Sequence, residues 1–245
     1  MKRTIFILIL LAAAKTVFAL DLSIGGGGSA GYTFTRYTLT GGAVESKQTM
    51  DRFDYGGSVF FDFTYGTFSV GYLGGISRFR ENMRLDSSSS EGSTEFADTT
   101  GKGSEGALSI SLLGKYPFKI KEKLTLFPIF GIDYQIALIQ MRETESGLSY
   151  NRADGRFMED RDKDGKAYPL SAWNYFRINV GTGLDFAFAE KVFLRSELLF
   201  GFRLPTAYEM GALDVIENLM NIQNPKLGGL TGNPALKISV GYRLK

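Results

Sequence analysis

The sequence predicts an all-β fold: an eight-stranded antiparallel up-and-down transmembrane β-barrel with four long loops at one end. Three observations lead to this prediction. Segments of alternating apolar and polar residues recur along the chain, the connections between them alternate between long and short, and no stretch after the N-terminus is apolar for the length of a membrane helix. The composition of 30 glycines, 20 phenylalanines and 12 tyrosines against 6 prolines also suits twisted strands joined by turns.

The N-terminal segment has the pattern of a cleaved secretory signal. Lys2 and Arg3 precede an apolar run, and Val17 and Ala19 occupy the −3 and −1 positions of a cleavage site. An apolar run of about ten residues is too short to span a bilayer as a helix. We therefore predict a signal peptide over residues 1–19 and a mature barrel over 20–245, with an uncleaved helical anchor as the alternative.

Charge and composition limit the function of the mature chain. Loss of the signal segment reduces the basic residues from 28 to 25 against 26 acidic residues, so the formal net charge falls from +2 to −1. A nearly neutral chain offers no electrostatic case for nucleic-acid binding. The chain has no cysteine, which excludes disulfides and Cys-based metal sites, and no histidine, which excludes His-dependent catalysis. An enzyme is therefore not expected.

Residues 192–204 carry the clearest strand pattern. Their even positions are apolar except for Ser196, and their odd positions include Arg195, Glu197 and Arg203. A period of two places these rows on opposite faces of a strand. With the tilt of a barrel strand the segment rises roughly 33 Å, enough to cross about 25 Å of hydrocarbon.

Seven further segments repeat this pattern. In chain order the predicted strands are 21–35, 53–65, 68–77, 107–116, 124–138, 173–187, 192–204 and 235–244. The glycine run at 25–28 is predicted to bend the first strand, because alternation persists on both sides of it. Pro128 marks a bulge or an edge-like position in the fifth strand. The long polar connections are 36–52, 78–105, 139–172 and 205–234, and their alternation with short turns places all four at one end of the barrel.

The size of the barrel decides which row of side chains lies inside. One row is mostly Phe, Tyr, Leu, Ile and Val, and the other is mostly Gly, Ser, Thr, Asp and Arg. An eight-stranded barrel is just wide enough for side chains, so the bulky row would overfill it. We therefore predict that the bulky row faces lipid; a soluble binding barrel is the alternative.

The polar row then supplies charged residues of both signs to the lumen. They indicate either a paired network that plugs the barrel or a narrow polar path for ions, and the small strand number favours the plug. The lumen candidates are Asp62, Lys115, Asp133, Arg177, Asp185, Arg195, Glu197 and Arg203.

One long connection contains part of a calcium-binding pattern. Asp160, Asp162, Asp164 and Gly165 match the first half of an EF-hand loop. The twelfth position is Ser171 instead of a bidentate Glu, so a weak calcium site is the speculative interpretation and a hydrated acidic loop is the alternative. No other cofactor is expected.

Residues 211–222 predict a short amphipathic helix in the last long connection. Leu213, Ile216 and Leu219 recur there at helical spacing. We expect this helix to pack against its own loops; the alternatives are the barrel mouth, the lipid interface and a partner surface.

Taken together, the signal segment, the alternating strands and the alternating loop lengths resemble small outer-membrane proteins of the OmpX, OmpA and OmpW type. The resemblance is architectural and covers the mature chain. It implies the outer membrane of a diderm bacterium, contact with outer-membrane lipid, and both termini in the periplasm. The enzymes among such barrels rely on histidine, which this chain lacks.

The expected function is that of a non-enzymatic integral outer-membrane protein. Its long, surface-exposed loops would serve adhesion, contact with an extracellular ligand or host factor, or envelope structure. A narrow porin-like channel for small solutes is the alternative function.

Overall fold

The computed structural model describes residues 21–41, 44–85, 94–144, 149–151, 170–207, 209–210 and 226–244. The strands are β1 (Ser23–Gly41), β2 (Val44–Phe63), β3 (Gly66–Leu85), β4 (Thr94–Lys115), β5 (Phe118–Lys121), β6 (Leu124–Thr144), β7 (Ser149–Asn151), β8 (Tyr175–Ala187), β9 (Val192–Arg203) and β10 (Lys226–Arg243). A single turn of 3-10 helix covers Leu170–Trp173. Within the described ranges, no helix has the length and hydropathy that a membrane-crossing helix needs.

Eight of the strands close into a ring. Their order is β4-β3-β2-β1-β10-β9-β8-β6, and pairing of β4 with β6 completes the circle. The first and last strands are neighbours, with Ile24 opposite Tyr242. The short strands β5 and β7 pair with β6 outside this ring. All these pairings are antiparallel, so the predicted eight-stranded antiparallel barrel is confirmed.

The barrel has an apolar outer surface. In β9, Leu194, Leu198 and Phe202 are exposed, whereas Arg195 and Glu197 are buried. The same alternation on the other strands leaves large apolar side chains such as Val59 and Phe130 exposed. A barrel in the hydrocarbon core of a bilayer requires apolar side chains on its outer surface and charged side chains in its interior. The bulky row thus faces outward, as predicted.

The strands extend farther than predicted at the end that carries the long connections. Gly41 of β1 pairs with Val44 of β2, so the first predicted long loop, 36–52, is instead a paired hairpin. Strand β3 likewise continues to Leu85, and β4 begins at Thr94. In these extensions the outward face becomes polar, as at Arg36 and Arg78, while inward side chains such as Tyr37, Met50 and Phe79 stay buried. The apolar outer row therefore ends although backbone pairing continues. This corrects the expectation of a long loop at 36–52 and shortens the one at 78–105.

A bulge reverses the alternation near the end of β6. The register of β4 against β6 shifts between Gly106 and Ala107, which leaves Leu138 unpaired. Leu138 and Ile139 are therefore both exposed, and Gln140 is buried. Bulges re-aim side chains in this way, and a strict period of two could not predict it.

Pro128 lies where the partner of β6 changes. Ile129 pairs with Lys115 of β4, whereas Leu126 pairs with Phe118 of β5. Pro128, which has no backbone N–H, thus lies between the part of β6 that pairs with β4 and the part that pairs with β5. This is the edge-like position predicted for it.

Candidate functional site

The barrel interior gathers buried charged side chains into two clusters. The short-turn cluster lies toward the end with the short turns and consists of Asp62, Lys115, Asp185 and Arg195. The loop-side cluster lies toward the opposite end and consists of Arg52, Asp54, Glu105, Asp133 and Arg177.

Arg195 is the centre of the short-turn cluster. Its Nε donates to Asp185 Oδ1 at 2.7 Å, and its Nη1 and Nη2 donate to the two oxygens of Asp62 at 3.1 and 2.9 Å. Lys115 Nζ donates to Asp62 Oδ2 at 2.5 Å. Two cations therefore balance two carboxylates. Charge-assisted bonds of this kind offset the cost of burying Arg195, which is only 1% exposed.

Aromatic rings surround the guanidinium of Arg195. Its Cζ lies 5.1, 5.0 and 5.2 Å from the ring centroids of Phe60, Phe127 and Phe193. The ring faces attract the cation and exclude water from it. Toward the loop end, Leu113, Ile129 and Leu199 form a buried apolar cluster with Phe127. On β9 the buried Glu197 lies between Arg195 and Leu199.

The loop-side cluster is bonded through polar neutral side chains. Arg177 Nε donates to Asp133 Oδ2 at 3.0 Å, and its Nη1 donates to Asn233 Oδ1 at 2.8 Å. Asn233 Nδ2 in turn donates to Thr33 Oγ1 at 2.8 Å and to Asp54 Oδ2 at 2.9 Å. Asn233 therefore joins the two halves of the cluster.

Arg52 occupies the other half of this cluster. Its Nε lies 2.6 Å from Asp54 Oδ1, and its Nη1 forms an ion pair with Glu105. Its Nη2 donates weakly to Thr33 Oγ1 and to the Tyr175 hydroxyl, each at 3.4 Å. With three carboxylates and two guanidinium groups, the cluster carries a formal charge of −1.

Small cavities adjoin the loop-side cluster, and two of them are lined by its arginines. One, of about 30 Å³, is lined by serines and glycines together with Arg177, Asp54 and Lys237. The other, of about 20 Å³, is lined by residues that include Arg52 and Glu105. A water molecule needs about 10–15 Å³, so each cavity has room for one or two. Neither volume accommodates an organic solute.

The structure brings six of the predicted lumen residues into the two clusters: Asp62, Lys115, Asp133, Arg177, Asp185 and Arg195. Glu197 is buried beside them and lies opposite Lys237 in the register of β9 and β10. Arg203 lies at the loop end of β9, where it forms an ion pair with Glu209.

Sequence reasoning missed Arg52, Asp54 and Glu105 as members of the interior. The signal was present, because Arg52 and Asp54 have the same strand parity as Asp62, and Glu105 has the same parity as Ser111. Arg52 and Glu105 fall within the predicted loops 36–52 and 78–105, and Asp54 falls within the predicted strand 53–65 but is not among the lumen candidates.

A helix start follows β9. Thr206 N donates to Glu209 Oε2 at 2.7 Å, and Glu209 N donates to Thr206 Oγ1 at 3.1 Å. This reciprocal pair is a capping box, and Ala207, Glu209 and Met210 have helical conformation. The predicted helix at 211–222 lies outside the described residues. The capping box was a sequence signal for a helix start that the pattern of apolar residues did not reveal.

The predicted calcium ligands Asp160, Asp162 and Asp164 also lie outside the described residues. Among the residues that are described, no group of three or more acidic side chains is placed to hold a metal ion.

No protein-family model matches the sequence, and a search of curated proteins gives no match. Three solved structures to which the chain is similar are bacterial outer-membrane or surface proteins. The attachment invasion locus protein Ail of Yersinia pestis, in complex with the heparin analogue sucrose octasulfate, is 10% identical over 90% of this chain and 99% of its own, with a TM-score of 0.31.

The other two are the Neisserial surface protein A and the outer membrane protein OprG of Pseudomonas aeruginosa. The first is 12% identical over 89% of this chain and 97% of its own, with a TM-score of 0.32. The second is 10% identical over 91% of this chain and 95% of its own, with a TM-score of 0.35. These scores are low, and the closed ring is established by the strand pairing of this chain itself.

Proposed function

We propose that this chain is a non-enzymatic integral outer-membrane protein whose barrel is a sealed anchor. The end with the extended strands faces the cell exterior, where it serves adhesion, contact with an extracellular partner or envelope structure. One observation carries this proposal: the interior is filled by two ion-paired clusters with an apolar layer between them.

The order of residues along the strands supports the seal. On β9, Leu199 lies between the buried Glu197 and Arg203, and on β6, Ile129 lies between Phe127 and Asp133. Their side chains are nearly inaccessible, with 3% exposure for Leu199 and 4% for Ile129. A hydrated ion would have to displace these side chains and break the ion pairs on both sides of them.

The proposed orientation follows from the two ends of the barrel. At the short-turn end β2 and β3 meet through two residues, and Ser23 pairs with Arg243, so both termini of the barrel lie there. At the other end β1 to β4 continue past the apolar band as paired polar strands. Outer-membrane barrels have short periplasmic turns and longer extracellular segments, so we assign the extended end to the exterior.

Single-channel recording tests the seal. We expect refolded protein in planar bilayers to show no reproducible conductance, while a general porin prepared in the same detergent serves as the positive control. Steady conductance of the wild-type protein would overturn the sealed anchor and favour a narrow channel for small solutes.

Protease treatment of intact cells tests the orientation. We expect added protease to cleave within the extended end and to leave the short turns intact, whereas lysed cells would be cleaved at both ends. Cleavage only after lysis would contradict the proposed exposure. Release of the protein from membranes by alkaline buffer without detergent would contradict membrane insertion itself.

A further inference from the structure

We propose that the segment from Leu170 to Tyr175, here called the strap, is a lid over the loop end of the lumen. In the closed position seen in the structure, it limits the access of water and small polar solutes to the loop-side cluster. The inference goes beyond the proposed function, because a sealed anchor requires only the apolar layer deeper in the barrel.

The strap lies over the lumen instead of extending the barrel wall. The pairing of β8 with β6 ends where Tyr175 lies opposite Gln135, and the residues before it include the 3-10 turn. Ala172, Trp173 and Tyr175 are nonetheless buried, with exposed fractions of 7%, 9% and 7%. Trp173 and Tyr175 line cavities together with the lumen residue Glu105, so the strap is packed into the mouth of the barrel.

Two small cavities lie beneath the strap. Each has a volume of about 20 Å³, and both are lined by Trp173, Tyr175, Glu105 and Gln140. Each therefore has room for one or two water molecules while the strap is closed. Because Trp173 lines both cavities, its withdrawal would join them into one larger space. The walls of that space include charged and amide groups, so it would favour water and small polar solutes over apolar ones.

The side chain of Asn174 fastens the strap to the barrel wall. Its Oδ1 accepts a hydrogen bond from Ala137 N at 2.9 Å, and its Nδ2 donates to the Tyr134 hydroxyl at 3.1 Å. Ala137 lies beyond the last residue of β6 that pairs with β8 and just before the bulge at Leu138. The asparagine thus takes the place of a missing strand partner for this backbone N–H.

The contacts at Tyr175 are weaker than those of Asn174. The Tyr175 hydroxyl accepts a long bond of 3.4 Å from Arg52 Nη2, and the guanidinium Cζ of Arg203 lies 5.1 Å from the centre of the Tyr175 ring. The bond from Asn174 N to Ser171 O lies within the strap and keeps it folded as a unit. A single hydrogen bond contributes little net free energy, so loss of the Asn174 side chain is enough to shift the strap toward an open position.

The strap lies on the loop side of the apolar layer. Along β6, Ala137 and Gln140 of the cavity wall follow Asp133, whereas Ile129 of the apolar layer precedes it. Opening of the strap would therefore admit water and solutes to the loop-side cluster without connecting the two ends of the barrel.

The absence of cysteine allows a single introduced thiol to report the opening of the strap. Ala107→Cys places this thiol in the wall of a cavity that Trp173 also lines. The rate at which a small cationic methanethiosulfonate reagent modifies the thiol would be measured on refolded protein in uncharged detergent micelles, with and without Asn174→Ala. Ser239→Cys is the matched reporter, because Ser239 is buried opposite Arg195 on the short-turn side of the apolar layer.

We expect Asn174→Ala to accelerate modification of the Ala107→Cys thiol about tenfold, which equals about 1.4 kcal/mol in the equilibrium of opening. Tyr134→Phe removes only the second bond of Asn174 and should have a smaller effect in the same direction. The Ser239→Cys thiol should be modified at the same rate in both backgrounds. Quenching of Trp173 fluorescence by acrylamide should increase with Asn174→Ala, since the only tryptophan belongs to the strap.

Asn179→Ala is the control for a general loosening of the barrel. Asn179 is a buried asparagine of β8 that has no hydrogen bond to the strap among the described residues. Its replacement should leave the rate at Ala107→Cys near that of wild type. Equal acceleration by Asn179→Ala and Asn174→Ala would overturn the lid, and so would equal rates with and without Asn174→Ala.

Each variant would first be checked for the heat-dependent gel mobility of a folded barrel. If Asn174→Ala does not fold, Tyr134→Phe decides the question: a faster rate at Ala107→Cys supports the lid, and an unchanged rate overturns it.

Failure of this inference can be told apart from failure of the proposed function. Steady conductance of wild type would overturn the sealed anchor, while the thiol reporters would still decide whether the strap opens. Conductance that appears only with Asn174→Ala would overturn the lid, because the strap would then itself be the seal.

Discussion

The two charged clusters of the barrel interior contain similar groups in different surroundings. In the short-turn cluster, three phenylalanine rings enclose Arg195. In the loop-side cluster, amide and hydroxyl groups bond Arg177 and Arg52, and small cavities adjoin them. The difference teaches that a buried ion pair is stabilised by the groups around it as well as by its partner, and these groups are rings in one cluster and amides and hydroxyls in the other.

Removal of the central arginine is the strongest test of this comparison. In Arg195→Met, Asp62 keeps Lys115, but Asp185 loses its ion pair and both carboxylates lose the charge-assisted bonds of the guanidinium. We expect a loss of about 3–5 kcal/mol in the free energy of unfolding. The measurement is urea unfolding in lipid vesicles, followed by the fluorescence of Trp173, the only tryptophan.

Arg195→Lys is the control for this prediction. It keeps the positive charge but cannot bond both carboxylates in the forked geometry, so its loss should fall between those of wild type and Arg195→Met. A loss below about 1 kcal/mol for Arg195→Met would show that the short-turn cluster does not stabilise the barrel.

The equivalent change in the loop-side cluster sharpens the comparison. Arg177→Met removes the partner of Asp133 and a donor to Asn233. The adjoining cavity of about 30 Å³ is lined by Arg177 and Asn233, so it can supply water to the site that the guanidinium leaves. We therefore expect a smaller loss of about 2 kcal/mol in the same unfolding experiment. A loss as large as that of Arg195→Met would contradict the proposed difference in hydration.

The packing of the aromatic rings gives the smallest expected effect. An added Cβ at Gly183 would clash with the ring of Phe127, whereas at Gly28 its nearest neighbour is Gly56 O at 3.7 Å. Gly183→Ala should lower the free energy of unfolding by about 1–3 kcal/mol. Gly28→Ala should change it by less than about 0.5 kcal/mol. Equal losses would show that the short-turn cluster is not closely packed.

The sequence predicted the barrel strands, their number and their inner and outer faces. These properties are local, because residues two apart on one strand necessarily share a face. The same rule placed Asp62, Asp133 and Arg195 on the inward row. It stopped where the apolar outer row ends, because polar residues on the outward face made the extensions of β1 to β4 look like loops.

Only the tertiary structure decided which charges meet. Asp62 and Arg195 are 133 positions apart and come together because the closed ring brings β2 and β9 to face each other across the lumen. The bulge at Leu138 likewise depends on the pairing of β6 with β4. Alternation fixes the side of the sheet on which a residue lies, whereas its height and its partner across the barrel depend on the stagger of all eight strands.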